Sequence, residues 1–107
     1  MTKPTGPVSK WDRADVDLRW DLPSDRAVAR EKVDRIVTDA ARELDTEAKW
    51  DGDVADIEIM KGPGKGAQIE VLFGEQLRIK VKLPGLTSMM RPMIEKQLKA
   101  QVSEALR

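Results

Sequence analysis

The stretch AKWDGDVADIEI, residues 48–59, sets four acids, Asp51, Asp53, Asp56 and Glu58, among apolar residues at alternating positions. Read as ligands, these acids suggest a calcium or magnesium loop. An EF-hand loop needs oxygen ligands at alternating positions and a bidentate Glu at its twelfth position, where this chain runs through Lys61 to Gly62. Read as backbone chemistry, Asp51-Gly52 is the two-residue turn of a β-hairpin. That register sets Trp50 against Asp53, Ala48 against Ala55 and Thr46 against Ile57, and puts Ala48, Trp50, Ala55, Ile57 and Ile59 on one face. Asp53 is the one discordant residue on the apolar parity. It is expected to stay wet at the sheet edge or to accept from a backbone N–H or the Trp50 ring N–H.

The same reasoning extends outward in both directions. With Gly74-Glu75-Gln76 as a three-residue loop, Phe73 faces Leu77, Val71 faces Ile79 and Ile69 faces Val81, again on a single face. The two hairpins therefore form one meander. Upstream, Val16, Leu18, Trp20 and Leu22 alternate with Asp15, Asp17, Arg19 and Asp21, the pattern of a half-buried strand. Pro23 stops that strand, Ser24 is the expected helix cap, and Asp25 falls in the first turn, where the helix dipole favours an acid. Ala29, Val33, Ile36, Val37, Ala40 and Leu44 then recur at spacings of three and four, and Arg30, Lys32, Asp34, Arg35, Asp39 and Arg42 take the other faces. After Pro84-Gly85, a second stripe holds Leu86, Met90, Met93, Ile94, Leu98, Val102, Ala105 and Leu106.

These patterns predict strands near 14–22, 46–50, 53–60, 67–73 and 77–83 and helices near 24–45 and 86–106. The fold class is α+β, a two-layer, helix-grip-like β-α-β-β-β-β-α arrangement. Each strand has one apolar and one mostly polar face, so both helices should pack on the apolar face of one antiparallel sheet. Residues 1–13, with Pro4, Gly6, Pro7 and Trp11 but no apolar period, read as a flexible tail before a single domain over 14–107. A filled core is expected.

The 107 residues are 36% charged and 40% hydrophobic with a formal net charge of zero, a composition that fits a small globular domain. The first 60 residues carry 10 Lys/Arg against 15 Asp/Glu and the rest carry 9 against 4. Such a division points to complementarity within the fold or between copies, and the missing basic excess argues against a nucleic-acid partner. No apolar run is long enough for a membrane span, the N-terminus lacks the apolar middle of a secretory signal, and there is no cysteine for disulfides. A cytoplasmic location is expected.

The chain has no His, Cys or Tyr, so catalysis would rest on carboxylates, lysines or four serines. No catalytic residue, metal or cofactor is expected, and a hydrolase built on Asp51 or Asp53 lacks a partner base. The loop KGPGKGA, residues 61–67, has the composition of a phosphate cradle without its GxxxxGK[ST] spacing or a following helix; its two lysines, Lys61 and Lys65, are its chemical content. Met89, Met90 and Met93 read as core filler at helical spacing, with an adaptable binding surface as the other reading. On the polar face of the sheet, Arg78, Lys80 and Lys82 form a basic stripe, and Met60 and Leu72 add a weak apolar spot. These five residues are the candidate partner surface, for an acidic partner or a weak homodimer; the other reading is solvated strand residues with cross-strand partners, such as Glu70 opposite Lys80.

The segments KWDGDVADIEI, AQIEVLFGEQLRIKVKLPGL and MMRPMIEKQLKAQVSEALR together resemble the polyhydroxyalkanoic acid system proteins, a small bacterial family associated with polyester storage-granule genes. The resemblance covers residues 14–107. It rests on an early strand and amphipathic helix, a W-x-G-D turn matched by Trp50, Gly52 and Asp53, and a strand ending in Leu83-Pro84. A final helix carries Ile94, Glu95, Lys96 and Gln97. Where the family commonly has a Gly-rich, more apolar stretch between the middle strands, KGPGKGA is more basic and polar. The resemblance implies a non-catalytic accessory or binding role in polyhydroxyalkanoate storage, with the granule surface or its proteins as partner, and carries over no catalytic residue. Two other readings stay open: a small helix-grip carrier of an apolar small molecule, and a general protein-interaction module.

Overall fold

In the computed structural model, residue 9 and residues 14–61, 65–83 and 91–106 are described. The chain enters the sheet through β1 (Val16–Asp21), where Val16 and Leu18 are buried and Asp17, Arg19 and Asp21 stay exposed, as the alternation requires. Helix α1 (Arg26–Glu43) follows. Its cap is Asp25, not the expected Ser24: the Asp25 carboxylate accepts from the N–H groups of Ala27 and Val28 at 3.0 and 3.2 Å. A carboxylate at this position satisfies two of the orphan donors and also meets the positive end of the helix dipole. The helix buries Ala29, Val33, Val37 and Ala41, with Ile36, Ala40 and Leu44 packed at the margin of the core. It ends in a Schellman arrangement in which Thr46 N–H reaches the Ala41 carbonyl and Asp45 N–H the Arg42 carbonyl, at 2.9 and 3.1 Å. Asp45 holds the left-handed position usually given to glycine, at φ 54°.

Strands β2 (Ala48–Asp51), β3 (Val54–Glu58), β4 (Gln68–Phe73) and β5 (Gln76–Lys82) form the meander, and β1 adds antiparallel to β5, giving the order β1-β5-β4-β3-β2. The β4–β5 register has the expected pairs: Phe73 with Leu77, Val71 with Ile79, Ile69 with Val81. The first hairpin is displaced. Its turn residues are Gly52 and Asp53, and the pairs are Asp51 with Val54, Trp50 with Ala55 and Ala48 with Ile57. Gly52 sits at φ 60° and Asp53 is not in the left-handed region, the pattern of a type II′ turn, which needs glycine at its first central position. Because the slip is two residues, every side chain keeps its face. The slip also removes the discordance at Asp53, which lies in the turn and not on the apolar face of a strand.

Helix α2 (Arg91–Ala105) buries Val102 and packs Ile94, Leu98 and Leu106 against the same core. Met93 is 49% exposed and is not core filler. The first residues of the expected helix, with Leu86, Met89 and Met90, lie outside the described residues. Both helices occupy the apolar face, whose centre is Ile57, Val71, Leu77, Ile79 and Val81. Each such side chain contributes roughly 1.5–3 kcal/mol by leaving water. β1 and β2 are opposite edges of the sheet, so α1 must cross it, and its 18 residues, about 27 Å at ~1.5 Å per residue, exceed four interstrand steps of about 4.8 Å. It packs on β2 and β4 and leaves the β1 side to α2. The core is filled as expected, with Val37, Ile57, Val71, Ile79 and Val102 at most 2% exposed, and only a shallow groove marks the outer seam of the helices. No described helix is long and apolar enough to cross a membrane.

The capping assignment gives a stability test. Asp25→Ala should lower the free energy of unfolding by about 1 kcal/mol, and Ser24→Ala should leave it within roughly 0.5 kcal/mol, as read by urea denaturation. Equal losses in the two variants would return the cap to Ser24.

Candidate functional site

The polar face of the sheet carries a charged row that crosses all five strands: Lys49 on β2, Asp56 on β3, Glu70 on β4, Lys80 on β5 and Asp17 on β1, each opposite the next. At its centre Glu70 is 0% and Lys80 4% exposed. The Ser9 hydroxyl lies between them, donating to Glu70 Oε1 at 2.6 Å and accepting from Lys80 Nζ at 3.0 Å. A buried carboxylate and ammonium need this kind of hydrogen-bonded compensation, since burial of either charge alone costs several kcal/mol. Ser9 thus anchors one point of the segment expected to be a flexible tail; the rest of residues 1–13 lies outside the described residues.

The candidate partner surface is accordingly not an open basic stripe. Leu72 is 3% exposed, Lys80 is engaged by Ser9, and Arg78 donates through Nε and Nη2 to the two carboxylate oxygens of Asp17 at 2.9 and 2.7 Å. The reason lies in β1. Arg19 stands directly opposite Arg78, a repulsive pairing, so the Arg78 fork turns to the adjacent Asp17. Asp15 accepts from Leu83 N–H at 2.7 Å and Asp21 from Gln76 Nε2 at 2.9 Å, so this strand's acids are spent on β5 and the residue after it. The hydrogen bond from Arg78, supported by the charges of Arg78, Lys80 and Arg19 and opposed by partial desolvation, holds the Asp17 carboxyl below its ordinary pKa. Two of the five candidates remain open: Met60, 55% exposed, and the exposed Lys82. They lie at the same end of the sheet, where β3 and β5 finish and β4 begins.

The acids of the opening stretch do not converge. Asp53 Oδ1 accepts from Arg30 Nη1 at 3.0 Å, Arg30 Nη2 reaches the Gly52 carbonyl at 3.2 Å, and the guanidinium carbon lies 3.9 Å from the Trp50 ring centroid. One arginine therefore contacts all three residues of the W-x-G-D turn. Arg26, one helical turn earlier, stacks on Phe73 at 4.2 Å and donates to the Gly74 carbonyl at 2.7 Å, fastening the second hairpin in the same way. The helical periodicity places Arg30 with the solvent residues, which is why sequence reading misses it; its signal is that Arg26 and Arg30 continue the Val33 and Val37 stripe toward the helix N-terminus. Asp56 stands opposite Lys49 and Glu70 on the polar face. Among the described residues no three acids are placed to hold a metal ion. Lys61 pairs with Asp45 at 3.2 Å, both exposed, and Gly62, Pro63 and Gly64 of its loop lie outside the described residues.

These contacts hold the fold together. One of several shallow concavities among the described residues is the groove between α1 and α2. Its floor is Ile57, Ile69, Val71 and Ile79 of the sheet; Ile36, Ala40 and Leu98 form its walls, and Asp39, Glu43 and Glu104 lie at its rim.

Two measurements test this site chemistry. Arg30→Ala should cost about 2 kcal/mol, combining a stacked cation with charge-assisted hydrogen bonds, and Arg30→Lys should restore little of it, because a single ammonium cannot stack and fork together. Asp17 has a lowered folded pKa, so its contribution is present above the ordinary carboxylate value near 3.8 and is lost as pH falls through the folded value. Asp17→Asn should therefore remove part of the acid limb of a stability–pH curve below that point, by less than about 1 kcal/mol since the pair is a third exposed.

A family model described as "Putative polyhydroxyalkanoic acid system protein" matches residues 16–106. The matched span runs from the start of β1 to the end of α2 and includes Trp50, Gly52 and Asp53, Leu83-Pro84 and the Ile94 to Gln97 run. Comparison with curated proteins and with solved structures finds no match. With nearly its whole length covered, from the first strand through the clamped W-x-G-D turn to the last helix, the chain belongs to the polyhydroxyalkanoic acid system family.

Proposed function

We propose that this protein acts without catalysis, as an accessory factor of bacterial polyhydroxyalkanoate storage that binds the polyester granule surface or a granule protein. The observation that carries this reading is the family match over residues 16–106. The chemistry of the chain supports a binding role: with no His, Cys or Tyr it lacks the groups that most often move protons or form covalent intermediates near neutral pH. Charged side chains on the sheet are engaged within the fold, Arg78 with Asp17 and both Lys80 and Glu70 with Ser9, and Arg30 of α1 is engaged with Asp53 of the first hairpin turn.

The contact in this reading is the end of the polar face bearing Met60 and Lys82, where a large apolar side chain and a cation stand exposed together. A surface of this kind meets an apolar, weakly acidic partner with modest affinity that falls as salt rises over a Debye length of about 8 Å.

Fractionation of polyester-accumulating cells tests both parts. The wild-type protein should sediment with granules or with a granule protein, and Met60→Glu/Lys82→Glu should shift it toward the soluble fraction. A wild-type protein that stays wholly soluble with no granule-linked partner defeats the functional reading, and a double variant that sediments like wild type moves the contact elsewhere.

A further inference from the structure

Among the described residues the sheet ends at β2, a strand with no neighbour on its outer side. Which backbone groups stand on that edge follows from the ladder. Phe73 N–H donates to the Asp53 carbonyl at 2.8 Å and Ile59 N–H to that of Ala67 at 2.9 Å, so the odd-numbered residues along β3 turn their backbone groups toward β4. Val54 and Asp56 turn theirs toward β2, where they stand opposite Asp51 and Lys49. The N–H and C=O groups of Ala48 and Trp50 are therefore directed outward. Thr46, next in that row, already gives its N–H to the Ala41 carbonyl. Helix α1 does not roof the edge: a shallow concavity lined by Thr38, Ala41, Thr46 and Ala48 opens beside it. The side chains flanking Trp50 are opposite in charge, Lys49 before it and Asp51 after it, both exposed on the polar face. Among the described residues neither forms a side-chain hydrogen bond or ion pair.

We propose that β2 pairs antiparallel with β2 of a second copy of this chain about a two-fold axis at Trp50, joining two five-stranded sheets into one. Charge selects this register. A two-fold at Trp50 sets the two Trp50 residues against each other through their outward N–H and C=O groups. It also sets each Lys49 against Asp51 of the other copy, in a non-hydrogen-bonded pair whose Cα atoms lie about 4.5 Å apart. An axis at Lys49 would face lysine with lysine, and one at Asp51 would face aspartate with aspartate, both repulsive. An axis at Ala48 needs the Thr46 N–H that the Ala41 carbonyl holds. A short edge strand that carries a lysine ordinarily resists pairing, because a foreign strand brings the ammonium no counter-charge; the second copy brings a carboxylate to each lysine. The β1 edge lacks this property, since its Asp15, Asp17 and Asp21 are engaged by Leu83, Arg78 and Gln76. Four residues of strand span about 14 Å at ~3.4 Å each and fall short of the roughly 800 Å² per partner of a standard interface, so the dimer is weak and concentration-dependent. This goes beyond the storage-system reading and does not rest on it, since it uses a strand edge and not the Met60 and Lys82 patch.

The test is sedimentation velocity of the full chain, paired with amide-resolved spectra, over protein concentrations from about 10 µM to about 1 mM. The wild type should pass from monomer toward dimer, with concentration-dependent shifts centred on Ala48, Trp50 and Gly52. Lys49→Asp and Asp51→Lys each place like charges at both flanking pairs, so each variant alone should dimerise more weakly by on the order of tenfold. Mixed in equal amounts, the two variants face D-W-D with K-W-K and should dimerise as the wild type does. Both positions are exposed, and pairing in the mixture shows that both variants are folded. The proposal is overturned by a wild-type chain that stays monomeric at the highest concentration, by a dimer whose shifts lie away from β2, by a single variant that pairs like the wild type, or by a mixture that stays monomeric.

Discussion

β1 and β2 are opposite edges of one sheet, joined directly by one helix, and that constraint governs the rest of the molecule. Helix α1 has to leave one edge, cross the apolar face and deliver the chain to the other, so its angle and height over the sheet must be fixed at more than one point. Val33 and Val37 fix it over the core by burial. Its N-terminal half is fixed by two arginines, Arg30 on the turn of the β2–β3 hairpin and Arg26 on the β4–β5 hairpin. Each guanidinium stacks on an aromatic ring and donates to a turn carbonyl, so the helix is tied to the ring and the backbone of both hairpins at once. In this light the W-x-G-D turn is a receptor for Arg30: the ring for stacking, glycine for a backbone that turns with positive φ, and the carboxylate for the ion pair.

The second consequence falls on α2. With α1 laid across β2 and β4, the last helix is left the β1 side of the same face, and the two helices meet only along part of their length. The groove on the seam follows from this geometry, since two cylinders resting on a twisted sheet close fully only when the side chains between them are large. Ala40 and Leu98 line that groove and pack against the core, and the sheet residues Ile57, Val71 and Ile79 beneath it stay at most 2% exposed, so the groove is shallow.

On the other face, charge takes the place of apolar packing. A row of ionic residues crosses five strands in register, with Ser9 set between a buried glutamate and a buried lysine. Within the sheet, Arg78 of β5 pairs with Asp17 of β1, joining a cation of the second part of the chain to an acid of the first. Part of the charge division in the sequence is thus met inside the fold, and on this face Met60 and Lys82 stay exposed at one end of the sheet.

The local pattern determined much of this. Alternation and helical spacing specified the order of seven elements and the face of almost every strand residue, because each depends only on whether a side chain must leave water. The β4–β5 register followed from three apolar pairs that agree in only one way. Sequence could not choose between two turn placements in DGD, because a slip of two residues preserves every face; the choice falls to the backbone, which needs glycine first in a type II′ turn. Nor could it see that Arg30 is a contact residue, since a long amphipathic side chain counts as solvent-facing until its neighbours are known. The partner surface was legible only as a list of outward residues. Whether Arg78 and Lys80 were open depended on which strand lies beside β5 and on what Ser9 touches. Local pattern fixes what each residue does to its own element, but contacts between residues far apart in the chain arise only when the edges of the sheet are assigned, and that assignment belongs to the tertiary structure.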